Sequence, residues 1–188
     1  PGIAQFAADA LEVRLDAGVA IIKVQRLQGF FGTGAVEYVT VNGSAMPGSQ
    51  YVPTSGAVSW RRADGQPKSI SVPLVDTGSY VRGTYRSVFA VRLTGSSELA
   101  LGAITETTVT IINTNAATGT LSLPAADFVV SESAGAIKIN VTRGGGSDCE
   151  AAVSYRTAAY PVGDSGHYGE GKPLQQGRLT WSEGDSST

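Results

Sequence analysis

The 188-residue sequence predicts an all-β protein of short strands joined by turns, and three observations carry that prediction. Composition is the first: 24 glycines stand beside abundant Thr, Ser and Val, while charged residues make up only 16% and aromatics 7%. β-Branched residues suit a pleated, half-buried surface, and glycine supplies the backbone angles of tight turns, so long amphipathic helices are not expected. The second is apolar alternation with a period of two, recurring along the chain. The third is an internal repeat, which organises the whole sequence.

The repeat is read directly. Val19–Arg26 (VAIIKVQR) aligns with Ala136–Arg143 (AIKINVTR), each preceded by Ala-Gly, at a shift of 117 (143 − 26). The same shift carries Val36, Tyr38, Thr40 and Tyr51 onto Val153, Tyr155, Thr157 and Tyr168 without a gap. Further on the shift becomes 121 (181 − 60), pairing Gly56, Val58 and Trp60 with Gly177, Leu179 and Trp181. Nothing after Pro67 has a counterpart in the second copy. A complete domain is therefore expected at 1–117 and an incomplete second repeat, lacking its last strands, at 118–188.

The elements follow in order. An opening strand is expected near Phe6 to Val13, although Ile3, Phe6, Ala10 and Val13 also sit at helical spacing. The repeat arbitrates, because the counterpart, Thr120 to Val130 (TLSLPAADFVV), has Pro124 in its middle and ends in aromatic and β-branched residues. A helix interior tolerates these badly, so both segments are predicted as strands. Next come apolar alternations at Ala20, Ile22 and Val24; at Val36, Tyr38 and Thr40; and at Val58 and Trp60. Ile70, Val72 and Leu74 follow, then Phe89, Val91 and Leu93, then Val109 and Ile111. Turn formers separate them at Gly29 to Gly34, Asn42-Gly43, Asp64-Gly65 and Thr77-Gly78. Seven strands, each with one apolar face, bury those faces best as two packed sheets, an immunoglobulin-like seven-stranded sandwich. The Cys–Trp–Cys pattern of antibody domains is absent.

Several functions are disfavoured at this level. A net charge of −2 offers no basic stripe for the phosphate contacts that dominate nucleic-acid affinity. No apolar run approaches the roughly 20 residues that cross a bilayer, so no membrane insertion is expected. Cys149 is the only cysteine and forms no internal disulfide. The chain starts at Pro1 rather than Met, which suggests a piece of something larger. Gly163-Asp164-Ser165-Gly166 resembles the loop around a serine-protease nucleophile, but the sole histidine, His167, lies in that same loop rather than being brought in from elsewhere. Cys149 with His167 lacks an orienting third group, and one Cys with one His falls short of the four ligands of zinc. No glycine-rich phosphate fingerprint opens a helix. The expectation is a non-enzymatic protein without a cofactor.

Four segments carry a resemblance: FVVSESAGAIKINVTR at 128–143, VEYVTVNGSAMPGSQYVPTSGAVSW at 36–60, SISVPLVD at 69–76 and TTVTIINTN at 107–115. Together they are similar to the Calx-β domain, found in the regulatory region of the sodium–calcium exchanger, in integrin β4 and in tandem arrays on bacterial surface proteins. The resemblance implies an immunoglobulin-like sandwich whose calcium sites, built of carboxylates, lie at one end. Calcium takes six to eight hard oxygen ligands, and affinity rises with their charge.

The implied ligand set is depleted here. Glu132 occupies the family's opening Glu position in the second copy, where the first copy has Leu15. The family's turn Asp is Asn42 and Ala159, and its Asp-Tyr pair is Gln50-Tyr51 and His167-Tyr168. Of the acid pair closing the fifth strand only Asp76 remains, followed by Thr77. The acidic loop reads TGSYVRGTYRS at 77–87, with Arg82 and Arg86 and no carboxylate, and the closing acidic triplet is Asn113-Thr114-Asn115. Glu132 and Asp76 are thus the remaining calcium-ligand candidates, a vestigial set. Calcium stiffens such domains by neutralising clustered acids; with Asn in place of Asp the repulsion that required the ion is gone.

The expected function is a structural or adhesive module of a tandem-repeat extracellular or cell-surface protein. One alternative is a calcium-binding regulatory or adhesion domain; another is a filament subunit completed by strands from a neighbouring chain. Expected partners are other repeats of the same protein or neighbouring copies, together with a protein or glycan surface ligand. Tyr51 and Trp60 recur in the second copy as Tyr168 and Trp181 and are assigned to packing. Tyr80 and Tyr85, in the irregular loop, are the contact candidates.

Overall fold

A computed structural model describes residues 2–158 and 175–187. The chain divides into two compact units, Pro1–Ala116 and Ala117–Thr188. The first unit contains β1 (Gly2–Phe6), β2 (Ala10–Arg14), β3 (Val19–Leu27), β4 (Gly34–Asn42), β5 (Ser55–Trp60), β6 (Lys68–Pro73), β7 (Arg86–Ser97), β8 (Leu99–Leu101) and β9 (Glu106–Ile112). They form one sheet in the order β6-β3-β1-β8 and a second in the order β2-β9-β7-β4-β5. The core between them is the alternation read from sequence: Ala20, Ile22 and Val24 of β3, Ile70 and Val72 of β6, Phe89, Val91 and Leu93 of β7, and Val109 and Ile111 of β9 are all buried. The protein is an all-β sandwich.

The opening segment differs from one continuous strand in an informative way. β1 pairs antiparallel with β3 in the first sheet, and β2 pairs parallel with β9 in the second. The chain crosses between sheets at residues 7–9, and the parity of its buried side changes as it crosses: Ala4 and Phe6 point inward in β1, Leu11 and Val13 in β2. That parity change sets the inward-facing Phe6 and Val13 seven residues apart, two helical turns, while Ala10 between them is exposed. At the other end, Glu98 adopts a positive φ of 62°, which separates β7 from β8 and lets β8 run parallel to β1. Gly34 is required where β4 starts, because a Cβ there would sit 2.5 Å from Leu99 Cγ.

The second unit contains β10 (Thr120–Ser122), β11 (Thr142–Gly144), β12 (Ala151–Arg156) and β13 (Gln176–Trp181). Its pairings repeat those of the first unit at the shifts read from sequence. Leu121 lies opposite Arg143 as Ala4 lies opposite Arg26, and Val153 lies opposite Leu179 as Val36 lies opposite Val58. The 3-10 turns Leu15–Ala17 and Glu132–Ala134 also correspond. The expected strand at 120–130 nevertheless stops at Ser122, and the expected strand at 136–143 begins only at Thr142. In the first unit β3 is held by both β1 and β6, and β2 by β9. Among the described residues nothing plays the part of β6 or β9 beside 123–141, and a strand without a neighbour leaves its N–H and C=O groups unpaired.

Candidate functional site

The residues that the family resemblance singles out in the first unit gather at one pole of the sandwich, where the turn 15–17, the loop after β4, the loop after β6 and the residues after β9 meet. Asp76 is exposed, and its Oδ1 accepts hydrogen bonds from the Gly78 amide at 2.8 Å and from Asn115 Nδ2 at 2.7 Å. The Asn115 amide donates to Asn113 Oδ1 at 2.9 Å, and the buried Asn113 donates its own amide to the Tyr85 carbonyl at 2.9 Å. Gln50 Oε1 accepts from the Met46 amide at 2.8 Å, while its Nε2 donates to Ser87 Oγ at 3.0 Å. The Tyr51 hydroxyl donates to Asn42 Oδ1 at 2.6 Å, and its ring stacks on Phe89 with centroids 4.3 Å apart. Each amide standing where the family has a carboxylate is thus bonded to a protein group. Leu15, at the family's Glu position, is buried.

Between these groups lies a cavity of about 90 Å³, walled by Leu15, Met46, Val75 and Val81 with a rim of hydroxyls and amides that includes Gln50 and Asn113. The Asn115 amide and then the Gly78 N–H hold the Asp76 carboxyl below the usual carboxylate range, opposed by desolvation and by the charge of Asp16. Asp16 is a carboxylate that sequence reading passed over, one position beyond Leu15. Arg14 grips it through Nε at 3.0 Å and Nη2 at 2.8 Å, and that bond lowers its pKa. The Arg14-x-Asp16 spacing, on the turn, was the available signal. Among the described residues there is no group of three or more His, Cys, Asp or Glu that could hold a metal ion.

Glu132 opens the 3-10 turn of the second unit, whereas Asp76 belongs to the first. Ala159, His167, Tyr168 and the Gly163–Gly166 motif lie outside the described residues. Tyr80 and Tyr85 are half-buried rather than projecting. Their loop is tied internally by Thr77 Oγ1 with Ser79 Oγ at 2.9 Å and by the Thr84 amide to the Val81 carbonyl at 2.9 Å. Its protruding apolar residue is Val81, with Met46 exposed beside the same cavity. Apolar alternation does not reach loops, so neither residue stood out in sequence.

At the far end of β3 lies a second constellation, present in both units. The buried Arg26 donates through Nη2 to the carbonyls of Gly29 at 2.6 Å and Gly32 at 3.0 Å, and through Nη1 toward Asp64 at 3.4 Å and Arg61 at 3.5 Å. Trp60 Nε1 donates to the Gln66 carbonyl at 2.8 Å. In the second unit Arg143 reaches the carbonyls of Cys149 at 2.6 Å, Thr118 at 2.7 Å, Asp185 at 3.3 Å and Ser182 at 3.5 Å, and Trp181 Nε1 reaches Ser187 at 2.8 Å. Arg26 and Arg143 anchored the alignment, but alignment gave no sign that they were buried latches closing the loops.

Comparison with known proteins agrees with this geometry. The apo-form Calx CBD1 domain is similar with a TM-score of 0.55 and 22% identity, over 60% of this chain and 96% of that one. The calcium binding domain CBD12 of CALX1.1 is similar with a TM-score of 0.60 and 20% identity, over 97% of this chain and 71% of that one. CBD12 from CALX1.2 gives a TM-score of 0.60 and 21% identity, over 98% and 73%. At such identities the likeness establishes the fold alone. No curated protein matches the chain. The Calx-beta domain family model matches residues 1–115 and again 114–170, once for each copy of the repeat. With both copies so matched, the chain belongs to the Calx-beta domain family.

Proposed function

We propose that this chain is a non-enzymatic structural or adhesive module of a tandem-repeat protein at the cell surface or outside the cell, whose first unit holds its loop pole together without calcium. The observation that carries the reading is the bond sequence Asp76–Asn115–Asn113–Tyr85, with Gln50 and Asn42 likewise bonded. A carboxylate only accepts hydrogen bonds, so clustered carboxylates need a cation between them. A side-chain amide both donates and accepts, so Asn and Gln close the same loops on neighbouring protein groups: Asn115 Nδ2 donates to Asp76, Gln50 joins the Met46 N–H to Ser87 Oγ, and Asn42 and Asn113 accept from Tyr51 and the Asn115 N–H. The loop 77–87, with Tyr80, Val81 and Tyr85, is the surface offered to a protein or glycan partner, and neighbouring repeats are the other partners. The placement outside the cell rests on the resemblance to tandem arrays of surface proteins.

One observation favours calcium binding instead: Asp16 and Asp76 lie close enough for their charges to oppose each other. A thermal melt of the chain in EDTA and then in 1 mM CaCl₂ separates the two readings. A site with a Kd of about 10 μM would add about 2.7 kcal/mol at that concentration, which is a rise of roughly 10 °C in a domain of this size. The expected shift is under 1 °C; a rise of several degrees makes the calcium-binding reading the correct one.

A further inference from the structure

We propose that Asn42-Gly43 is a site of self-modification: the Gly43 nitrogen attacks the Asn42 carboxamide and turns the asparagine into aspartate or isoaspartate, at a rate that the Tyr51 hydroxyl restrains. The proposal stands apart from the reading of the loop pole as calcium-free, which needs only that Asn42 be bonded. Of the asparagines at 42, 113, 115 and 140, Asn42 is the one followed by glycine, whose missing side chain leaves its nitrogen least hindered for attack. The fold requires that glycine. Ser44 Oγ accepts the Val88 N–H at 3.0 Å and the Ala45 N–H donates to the Val88 carbonyl at 2.8 Å, which draws the turn after β4 onto β7. A Cβ on Gly43 would overlap the Val88 carbonyl oxygen, a backbone atom held in the sheet, so no bulkier residue can shield the bond.

In the reaction the Gly43 nitrogen forms a bond to Asn42 Cγ and gives up its proton, and Nδ2 takes a proton and leaves as ammonia. Water then opens the resulting succinimide at either carbonyl, giving aspartate or its β-linked isomer; the sum is amide and water to acid and ammonia. Asn42 is exposed, so water reaches the ring. Its partner is not: Tyr51 is fully buried, its ring stacks on Phe89 with centroids 4.3 Å apart, and its hydroxyl donates to Asn42 Oδ1 at 2.6 Å. A buried, stacked ring cannot follow a moving amide. Ring closure swings Cγ and Oδ1 toward the main chain, so the bond to Tyr51 must be given up on the way, and a net hydrogen bond of ordinary strength slows the step about fivefold. Conversion adds a carboxylate to the pole that already holds Asp76 and Asp16, whose charges oppose each other.

The test incubates the whole chain at mildly alkaline pH, well below its melting temperature, and follows each asparagine by peptide mass mapping and by methylation with isoaspartyl methyltransferase. The expected result is aspartate and isoaspartate together at Asn42, formed there before either appears at Asn113, Asn115 or Asn140. Tyr51→Phe keeps the stacked ring and should raise the rate at Asn42 about fivefold. Ile70→Val, a buried deletion in the other sheet with a stability cost like that of the lost bond, should leave the rate unchanged. Mapping of the unaltered chain decides the modification even if Tyr51→Phe fails to fold. Absence of product at Asn42 from both chains, or aspartate without isoaspartate, overturns the proposal, because direct hydrolysis of the side chain gives aspartate alone. So does a rate in Tyr51→Phe that is equal to or below that of the unaltered chain, or one that Ile70→Val matches, since general loosening is then the cause.

Discussion

Replacing Arg26 with Met tests whether a buried cation holds the latch pole of the first unit. Arg26 is 3% exposed, has no carboxylate partner within its hydrogen-bond set and spends its guanidinium on backbone carbonyls, stacked 5.8 Å from the centre of the Phe30 ring. Only the Gly29 and Gly32 bonds, at 2.6 and 3.0 Å, are short enough to carry much energy; those at 3.4 and 3.5 Å are marginal. Two bonds from a charged donor are worth about 3–6 kcal/mol together. Against that, Met removes the cost of keeping a cation out of water, including an Nε with no partner, and it keeps most of the apolar stem. The exposed carbonyls of residues 29–32 also regain water. The net loss is about 2–4 kcal/mol, which lowers the melting temperature of the first unit by roughly 10–15 °C. Differential scanning calorimetry of the full chain measures it, with the second unit's Arg143 latch as the internal control. Arg26→Lys should recover only part of the loss, because an ammonium is more strongly hydrated than a guanidinium and has no planar face to lay over Phe30. A shift under 2 °C for Arg26→Met would refute the latch as a stabilising element.

Two other outcomes follow from the loop pole and the surface carboxylates. Tyr51→Phe keeps the ring stacked on Phe89 but loses the bond to Asn42; since exposed Asn42 can turn to water, the cost is about 1 kcal/mol, a fall of roughly 4 °C in a thermal melt, and an unchanged melting point would mean the bond contributes nothing. Asp76 is held low by Asn115, Asp64 by Lys68, Asp16 by Arg14 and Asp185 by the Ser187 amide. Groups depressed in the folded state contribute stability that is fully present above the ordinary carboxylate range near 4 and is lost as pH falls through their lowered values. The melting temperature should therefore be flat from pH 5 to 7 and fall below pH 4, with a shallower fall in Asp76→Asn; a melting point that rises on acidification contradicts this arrangement.

How much of this was legible beforehand differs from element to element. The core strands were readable because a half-buried strand must alternate, and Ile70, Val72, Phe89, Val91, Val109 and Ile111 alternate inward as written. The repeat was readable because register survives copying: the pairs Ala4 with Arg26 and Leu121 with Arg143 keep the shift of 117. The gathering of Asn42, Gln50, Asp76, Asn113 and Asn115 at one pole came from the family resemblance, since those positions are far apart in the chain and no local pattern joins them. The opening segment was only half legible, because a change of parity between two sheets resembles a helical period when read along one dimension.

What the sequence by itself determined is which side chains face inward and where the copies begin and repeat, since both are local properties of pleat and turn. Tertiary structure alone decided that Arg26 and Arg143 are buried, that Asp16 opposes Asp76, and that residues 123–141 do not complete their strands. Each of these depends on what lies across the sandwich: a strand forms only where a neighbour takes its backbone hydrogen bonds, and an arginine enters a core only where several carbonyls converge to receive it.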